Sequence, residues 1–353
     1  MLDNLDYIKE IDKYNMREIL ERFPEQCEQA VKIGEGVDFI DLLKKKNFDK
    51  VVVCGLGGSA IGGDILKTLF SNENILIKVN RDYHLPSFVN ERTLVFAVSY
   101  SGNTEETISS FKEAISSGCF VVSISSGGEL RNLSDKNGVP FIKVPSGMPP
   151  RCAVGFLSIP MIVIVEKIVR KDSFDYKELV EVISVLRNRY LPEKKTEENF
   201  AKSIALKLKS KVPLIYGTSR LTDVVARRFK TQFNENSKVI ASWDVFPEMN
   251  HNEIVPFSRE GEIDLNIFYS LFIRDKGESE RIAKRIQITQ SLFSRKGINY
   301  SEIWTEGKSF ITRIFSSIYT GDWISFYLAM VQATDPTPIT FIDLLKNELK
   351  KAQ

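Results

Sequence analysis

Residues 50–63 read KVVVCGLGGSAIGG, and residues 93–107 read TLVFAVSYSGNTEET. In each, a short unbroken apolar run (Lys50–Cys54, Thr93–Val98) leads straight into a loop of glycines or hydroxyls. A helical pattern follows, over Ile61–Phe70 in the first case and near Glu105–Ser117 in the second. An apolar run with no polar alternation is a strand covered on both faces, the signature of a parallel sheet whose crossovers are helices. Loops after such strands are where open α/β sheets bind ligands.

The same grammar extends outward. Ile75–Val79, Phe120–Ile124 and Pro140–Val144 read as further strands of the first sheet. Two N-terminal helices precede it, and a helical region from Ala153 to Leu208, carrying the charged linker Pro192–Glu198, follows it. Alternation then resumes with a strand at Val212–Tyr216, a helix at Leu221–Asn236, a strand at Leu265–Ile273, a helix at Ser279–Ser294 and a strand at Tyr300–Trp304. Helices at Phe310–Thr334 and Ile339–Lys351 end the chain. The expected fold is α/β: two doubly wound parallel-sheet domains with helical N- and C-terminal additions. The expected boundaries are N-terminal helices 1–46, a first domain 47–175, a helical linker 176–205, a second domain 206–308 and C-terminal helices 309–353.

Composition narrows the function. In 353 residues Lys+Arg is 48 against Asp+Glu 46, a formal charge of +2, and no basic block stands out. Nucleic-acid binding is therefore not expected. The longest uncharged apolar stretch, Cys152–Val165, is fourteen residues interrupted by Pro160, short of the ~20 that a membrane helix needs. The N-terminal MLDNLDYIKEIDKYNM has no apolar signal region, so a cytoplasmic protein with no membrane partner is expected. Cys27, Cys54, Cys119 and Cys152 are scattered, with no CxxC. They read as buried reduced thiols rather than a zinc knuckle or disulfide framework.

Both loops suit a phosphate. Gly57, Gly58 and Ser59 let backbone N–H groups close on an anion at a helix N-terminus. Ser99, Ser101 and Thr104 place three hydroxyls within six residues, donors enough for several oxygens of one phosphate ester. Gly55-x-Gly57-x-x-Ala60 also satisfies the dinucleotide pattern G-x-G-x-x-A. That reading wants an acid about 20 residues on, where Asn80 and Arg81 stand with Asp82 just beyond. It also gives no use to Ser99–Thr104.

GLGGSAIGGD at 55–64 and SYSGNTEET at 99–107 resemble the sugar isomerase (SIS) fold, the module that binds phosphosugars. PPRCAVG at 149–155, NENSK at 234–238, NHNE at 250–253 and DPTP at 335–338 with Leu345-Lys346 resemble the bifunctional phosphoglucose/phosphomannose isomerase family, in the family's order. The resemblance spans about residues 45–350; the residues before it carry no recognised motif and are given only a structural part.

What the resemblance implies is an aldose–ketose isomerase. It would interconvert glucose 6-phosphate and mannose 6-phosphate with fructose 6-phosphate through a cis-enediolate. That scheme needs a base over the carbons, donors at the oxygens and a group that opens the ring, and no metal or redox cofactor. By resemblance, Glu235 transfers the proton, Arg151 steadies the enediolate oxygen, and His251 acts in ring opening from the neighbouring subunit of a homodimer, assisted by Lys346. From the residues alone Glu235 reads only as an acid near a helix C-terminus, where its charge is mildly unfavourable, and His251 as one of two histidines, set among asparagines. Two other classes stay open here: a catalytically silent phosphosugar-binding regulator and, on Gly55–Ala60, a dinucleotide-dependent oxidoreductase.

Overall fold

The computed structural model describes residues 1–169, 174–258 and 264–351. In chain order the elements begin with α1 (Leu5–Ile11), α2 (Met16–Glu21), α3 (Phe23–Glu35) and α4 (Ile40–Lys44). The expected pair of N-terminal helices is thus replaced by shorter pieces, because Pro24 opens a new helix at its first turn. There follow β1 (Lys50–Cys54), α5 (Gly57–Leu69), β2 (Leu76–Asn80), β3 (Thr93–Val98), α6 (Glu105–Ser116), β4 (Phe120–Ser125), α7 (Gly128–Asn137) and β5 (Phe141–Lys143). Next come α8 (Val154–Ile168), α9 (Tyr176–Tyr190), α10 (Phe200–Lys207), β6 (Val212–Thr218), α11 (Asp223–Glu235), β7 (Ser242–Phe246) and β8 (Phe268–Arg274). The chain continues through α12 (Glu280–Arg295), β9 (Asn299–Trp304), α13 (Phe310–Val331) and α14 (Thr340–Lys351).

Two compact units result. One comprises Arg22–Ser184 and Glu306–Ser316 and holds a parallel sheet in the order β2-β1-β3-β4-β5. β1 and β3 are its centre, with Val51–Val53 and Leu94–Val98 fully buried. The apolar stretch that is too short for a membrane is α8, buried from Val154 to Glu166. Gly34 of α3 and Gly62 of α5 let their backbones close on it. A Cβ on Gly34 would lie 2.9 Å from Val163 Cβ, and one on Gly62 would lie 3.0 Å from the Leu157 carbonyl oxygen.

The other unit comprises Met1–Glu21, Val185–Thr305 and Ser317–Gln353, with a parallel sheet in the order β7-β6-β8-β9. Its strands cover an aromatic core in which the rings of Tyr216 and Phe272 contact one another and each contacts Phe246 and Phe293. As its spacing predicts, α11 buries Val225, Phe229 and Phe233.

Three readings of elements are corrected. β7 was absent from the expected order; its SWDVF is a half-buried edge strand with no apolar run. α7 was also absent, because only Leu130 and Ser134 of its ten residues are buried. Leu265–Ile267 is a 3-10 turn, and the strand begins at Phe268. Among the described residues no helix is long and apolar enough to cross a membrane. Cys27, Cys54 and Cys152 are buried and outside any disulfide, as expected, whereas Cys119 is only half-buried.

Candidate active site

The order β2-β1-β3-β4-β5 reverses direction at β1 and β3, so the crevice beyond their carboxyl ends is the topological switch point. Both glycine- and hydroxyl-rich loops leave the sheet there. Backbone bonds from Gly55 N to the Asn80 oxygen (3.1 Å) and from Ser99 N to the Ile124 oxygen (3.1 Å) seat them on neighbouring strands. The loops are also tied to one another: Tyr100 N donates to Ser59 Oγ at 3.3 Å.

Each loop opens a helix that its own side chains leave uncapped. Leu56 precedes α5 and Thr104 precedes α6, and neither makes a side-chain capping bond. Two helix N-termini with orphan N–H groups at one switch point favour an anion. The hydroxyls have distinct places. Ser99 is buried; its Oγ accepts from Gly102 N at 3.1 Å and lies 2.8 Å from Thr104 Oγ1. Ser101 is exposed, and its Oγ accepts from Asn103 N at 3.3 Å while its hydroxyl proton can still be donated. Gly102, at φ +73°, is required: a Cβ there would sit 1.8 Å from the Gly127 carbonyl oxygen.

Arg151 joins this crevice within the same unit. It lies in the 3-10 turn Pro150–Cys152, only 3% exposed. The turn runs against the first loop so closely that a Cβ on Gly58 would lie 2.8 Å from the Pro150 oxygen and 2.9 Å from Arg151 Cα. Glycine at 58 is therefore what lets Arg151 approach the first glycine loop. Tyr100 holds the approach, donating its hydroxyl to the Pro145 oxygen (3.0 Å) and accepting from Met148 N (3.2 Å). Gln26 holds the exit, donating to the Cys152 oxygen (3.0 Å) and accepting from Gly155 N (2.8 Å). No motif in the sequence signals Gln26, because its partners lie 126 and 129 residues along the chain.

The position a dinucleotide would need for its ribose acid is used otherwise. Asn80 is buried and donates to the Asp82 and His84 carbonyls and to Ser110 Oγ, while Arg81 pairs with Asp64. The oxidoreductase reading loses its support there.

Glu235, His251 and Lys346 belong to the other unit. Glu235 is half-buried as the last residue of α11. Its polar neighbours anchor the helix end. Asn236 donates to Ser325 Oγ (2.9 Å), Ser237 to the Ser325 oxygen (2.7 Å) and Asn234 to the Val239 oxygen (2.8 Å). Lys238, at φ +56°, returns its ammonium to the Glu235 oxygen at 2.6 Å and to the Pro336 oxygen at 3.0 Å. This caps the terminal carbonyls with positive charge and offsets the unfavourable end position of the carboxylate. It also joins two sequence motifs, NENSK and DPTP, across about a hundred residues, an arrangement no local reading contains.

His251 ends the 3-10 turn Glu248–His251 that follows β7, and is exposed. Asn250 donates to Thr289 Oγ1 at 3.0 Å and Asn252 to Glu248 Oε1 at 3.2 Å, which fixes the turn on both sides of the imidazole. Glu253 reaches back to the sheet, where the Tyr216 hydroxyl donates to its Oε1 at 3.0 Å. Burial, reinforced by the neighbouring Asp244 carboxyl, pushes Glu253 up to about 7. Lys346 stands exposed on α14, and no ion pair joins it to another described residue. No group of His, Cys, Asp and Glu among the described residues is arranged to hold a metal ion.

The family described as "Bacterial phospho-glucose isomerase C-terminal SIS domain" matches residues 197–349. A bifunctional phosphoglucose/phosphomannose isomerase of Caldicellulosiruptor bescii is 42% identical over 95% of this chain and 98% of its own. One of Thermoplasma acidophilum is 36% identical over 92% of this chain and 97% of its own. Among solved structures, a glucose-6-phosphate isomerase-like protein of Thermus thermophilus superposes with a TM-score of 0.62 at 15% identity, over 98% of each chain. That likeness establishes the doubly wound sugar isomerase fold.

Proposed function

The chain belongs to the bifunctional phosphoglucose/phosphomannose isomerase family, and from that premise we propose that it interconverts glucose 6-phosphate and mannose 6-phosphate with fructose 6-phosphate. What carries the reading is an anion cradle at the β1/β3 switch point in a chain 42% identical, over 95% of its length, to a protein named for these activities.

In this reading the phosphate sits on Gly57, Gly58, Ser59, Ser99, Ser101 and Thr104. Glu235 removes the proton from C2 of the aldose and returns it to C1. The hydroxyl proton of O2 moves to O1 through the same enediol(ate), so no atom is gained or lost. The planar, permanently charged Arg151 steadies the enediolate oxygen. His251 opens the ring as its acid–base group, and Lys346 assists it. The two aldoses differ only at C2 and meet in one enediol, so a single carboxylate serves both once the C1–C2 bond turns. The enzyme works as a cytoplasmic homodimer in which His251 comes from the neighbouring subunit.

The test is a coupled assay on both aldose phosphates. Glu235→Gln keeps shape and hydrogen bonding but removes the proton acceptor, so both rates should fall together by ~10²–10⁴. Binding of a sugar-acid phosphate, read by thermal shift, should persist. Loss of one activity alone would mean two bases. A wild-type protein that binds fructose 6-phosphate but turns nothing over would favour the silent regulator. For the dimer, mixing His251→Ala with Glu235→Gln protein should restore activity through hybrids; no recovery despite subunit exchange would mean that each chain supplies its whole site.

A further inference from the structure

We propose that Gln26 is a positioning residue for Arg151, which draws the motif-free N-terminal helices into the catalytic apparatus. The inference rests on the role given to Arg151 above. Gln26 lies on α3, is 5% exposed, and uses both ends of one carboxamide on the turn that carries the guanidinium. Nε2 donates to the carbonyl of Cys152, the residue after Arg151, at 3.0 Å, and lies 3.8 Å from Met148 Sδ. Oε1 accepts from the N–H of Gly155, in the first turn of α8, at 2.8 Å. The 3-10 turn and the helix after it are thereby held at a fixed offset by a single planar group.

The surroundings are shaped to this group. A Cβ on Gly155 would lie 2.8 Å from Oε1, so glycine there makes room for the amide. α3 itself is held against α8 by the close approach of Gly34 to Val163 and Pro160. On the other side of the turn, Gly58 leaves no slack against Pro150 and Arg151. A displacement of the turn would either drive Arg151 into the phosphate loop or withdraw it. Since a misplacement of about 1 Å can cost roughly 10² in rate, the amide acts on chemistry without touching substrate.

The experiment is a double-mutant cycle on the full-length protein, with kcat and KM measured on fructose 6-phosphate for Gln26→Met, Arg151→Lys and the pair. Gln26→Met keeps length and flexibility while removing donor and acceptor. It should lower kcat by roughly tenfold, with about 10²-fold as the ceiling, and leave KM within about twofold. In the Arg151→Lys background the Gln26 effect should shrink to about twofold, because moving an already defective cation loses little; residues that act as a unit are non-additive. A full Gln26 effect in both backgrounds would reduce Gln26 to a structural tie and overturn the proposal. An unchanged kcat in Gln26→Met, with Arg151→Lys impaired, would overturn it while sparing Arg151. An unimpaired Arg151→Lys would overturn the role of Arg151 and the proposal with it. Should Gln26→Met fail to fold, Gln26→Glu decides by the same cycle, because it keeps the acceptor for Gly155 and loses the donor to Cys152.

Discussion

Arg228 and Asp322 meet as a forked ion pair, with Nη2 2.8 Å from Oδ2 and Nε 3.1 Å from Oδ1. Both side chains are almost wholly buried, at 2% and 4% exposure, and Gln232 adds a third donor to Oδ1 at 3.0 Å. The pair bolts α11, whose last residue is Glu235, to α13. On the same seam the Phe229 ring packs so close to Gly321 that a Cβ there would lie 2.2 Å from it. The geometry that holds the candidate base is therefore electrostatic as well as apolar.

Breaking that pair from one side strands a buried charge, which costs about 3–5 kcal/mol, whereas replacing both members with apolar residues of similar volume is often neutral. Asp322→Ala should accordingly lose about 3–5 kcal/mol in urea unfolding, and Arg228→Met/Asp322→Leu should regain most of it. A double variant no more stable than Asp322→Ala would mean that the pair does not act as a unit.

The sequence made the centre of the fold legible because β1 and β3 are buried on both faces and written in Val, Phe and Leu without interruption. Their loops were legible for a related reason: glycine and hydroxyl residues there answer needs of local backbone geometry. β7 and α7 were not, since SWDVF lies at a sheet edge and GELRNLSDKN is nearly all solvent-facing. The parallel pairing of β4 with β5 requires a crossover, so topology rather than hydropathy was the signal for α7. Arg151 and Glu235 were visible as residues, but what fixes them was not. Gln26 reaches Cys152 over a separation of 126 residues, and no periodicity encodes such a bond.

The split between Ser99 and Ser101 gives the proposed phosphate loop a sharp test. Ser101 is exposed, so removing its hydroxyl from a charged acceptor should weaken binding by ~1.5–3 kcal/mol and leave folding stability unchanged. KM should rise alike for glucose, mannose and fructose 6-phosphates, and Thr104→Ala should behave in the same direction. Ser99 is buried and bonded to both Gly102 and Thr104, so Ser99→Ala should lower stability by about 1 kcal/mol as well. Unchanged KM values in both Ser101→Ala and Thr104→Ala would remove this loop from the site.

Glu253 makes stability depend on pH in a direction opposite to that of a salt-bridged carboxylate. Its ordinary value is 4.5, and burial with the help of Asp244 carries it to about 7 in the folded protein. Below the ordinary value both states hold the proton and the contribution is complete. As pH rises toward the folded value, the unfolded chain releases its proton while the folded one keeps it, so the unfolded state binds fewer protons and stability falls. Past the folded value both are ionised, and the loss is complete. Glu253→Gln stays neutral throughout and escapes that loss. Its melting temperature relative to the parent should therefore climb between about pH 5 and about pH 8. Tyr216 donates to this carboxyl and favours its ionised form, so Tyr216→Phe should move the falling limb to higher pH, whereas Asp244→Asn should move it lower. Paired thermal melts across that range decide the matter. Parallel curves for the parent and Glu253→Gln would show that the carboxyl ionises with the same ease folded and unfolded, and that the turn bearing His251 is not held by a proton.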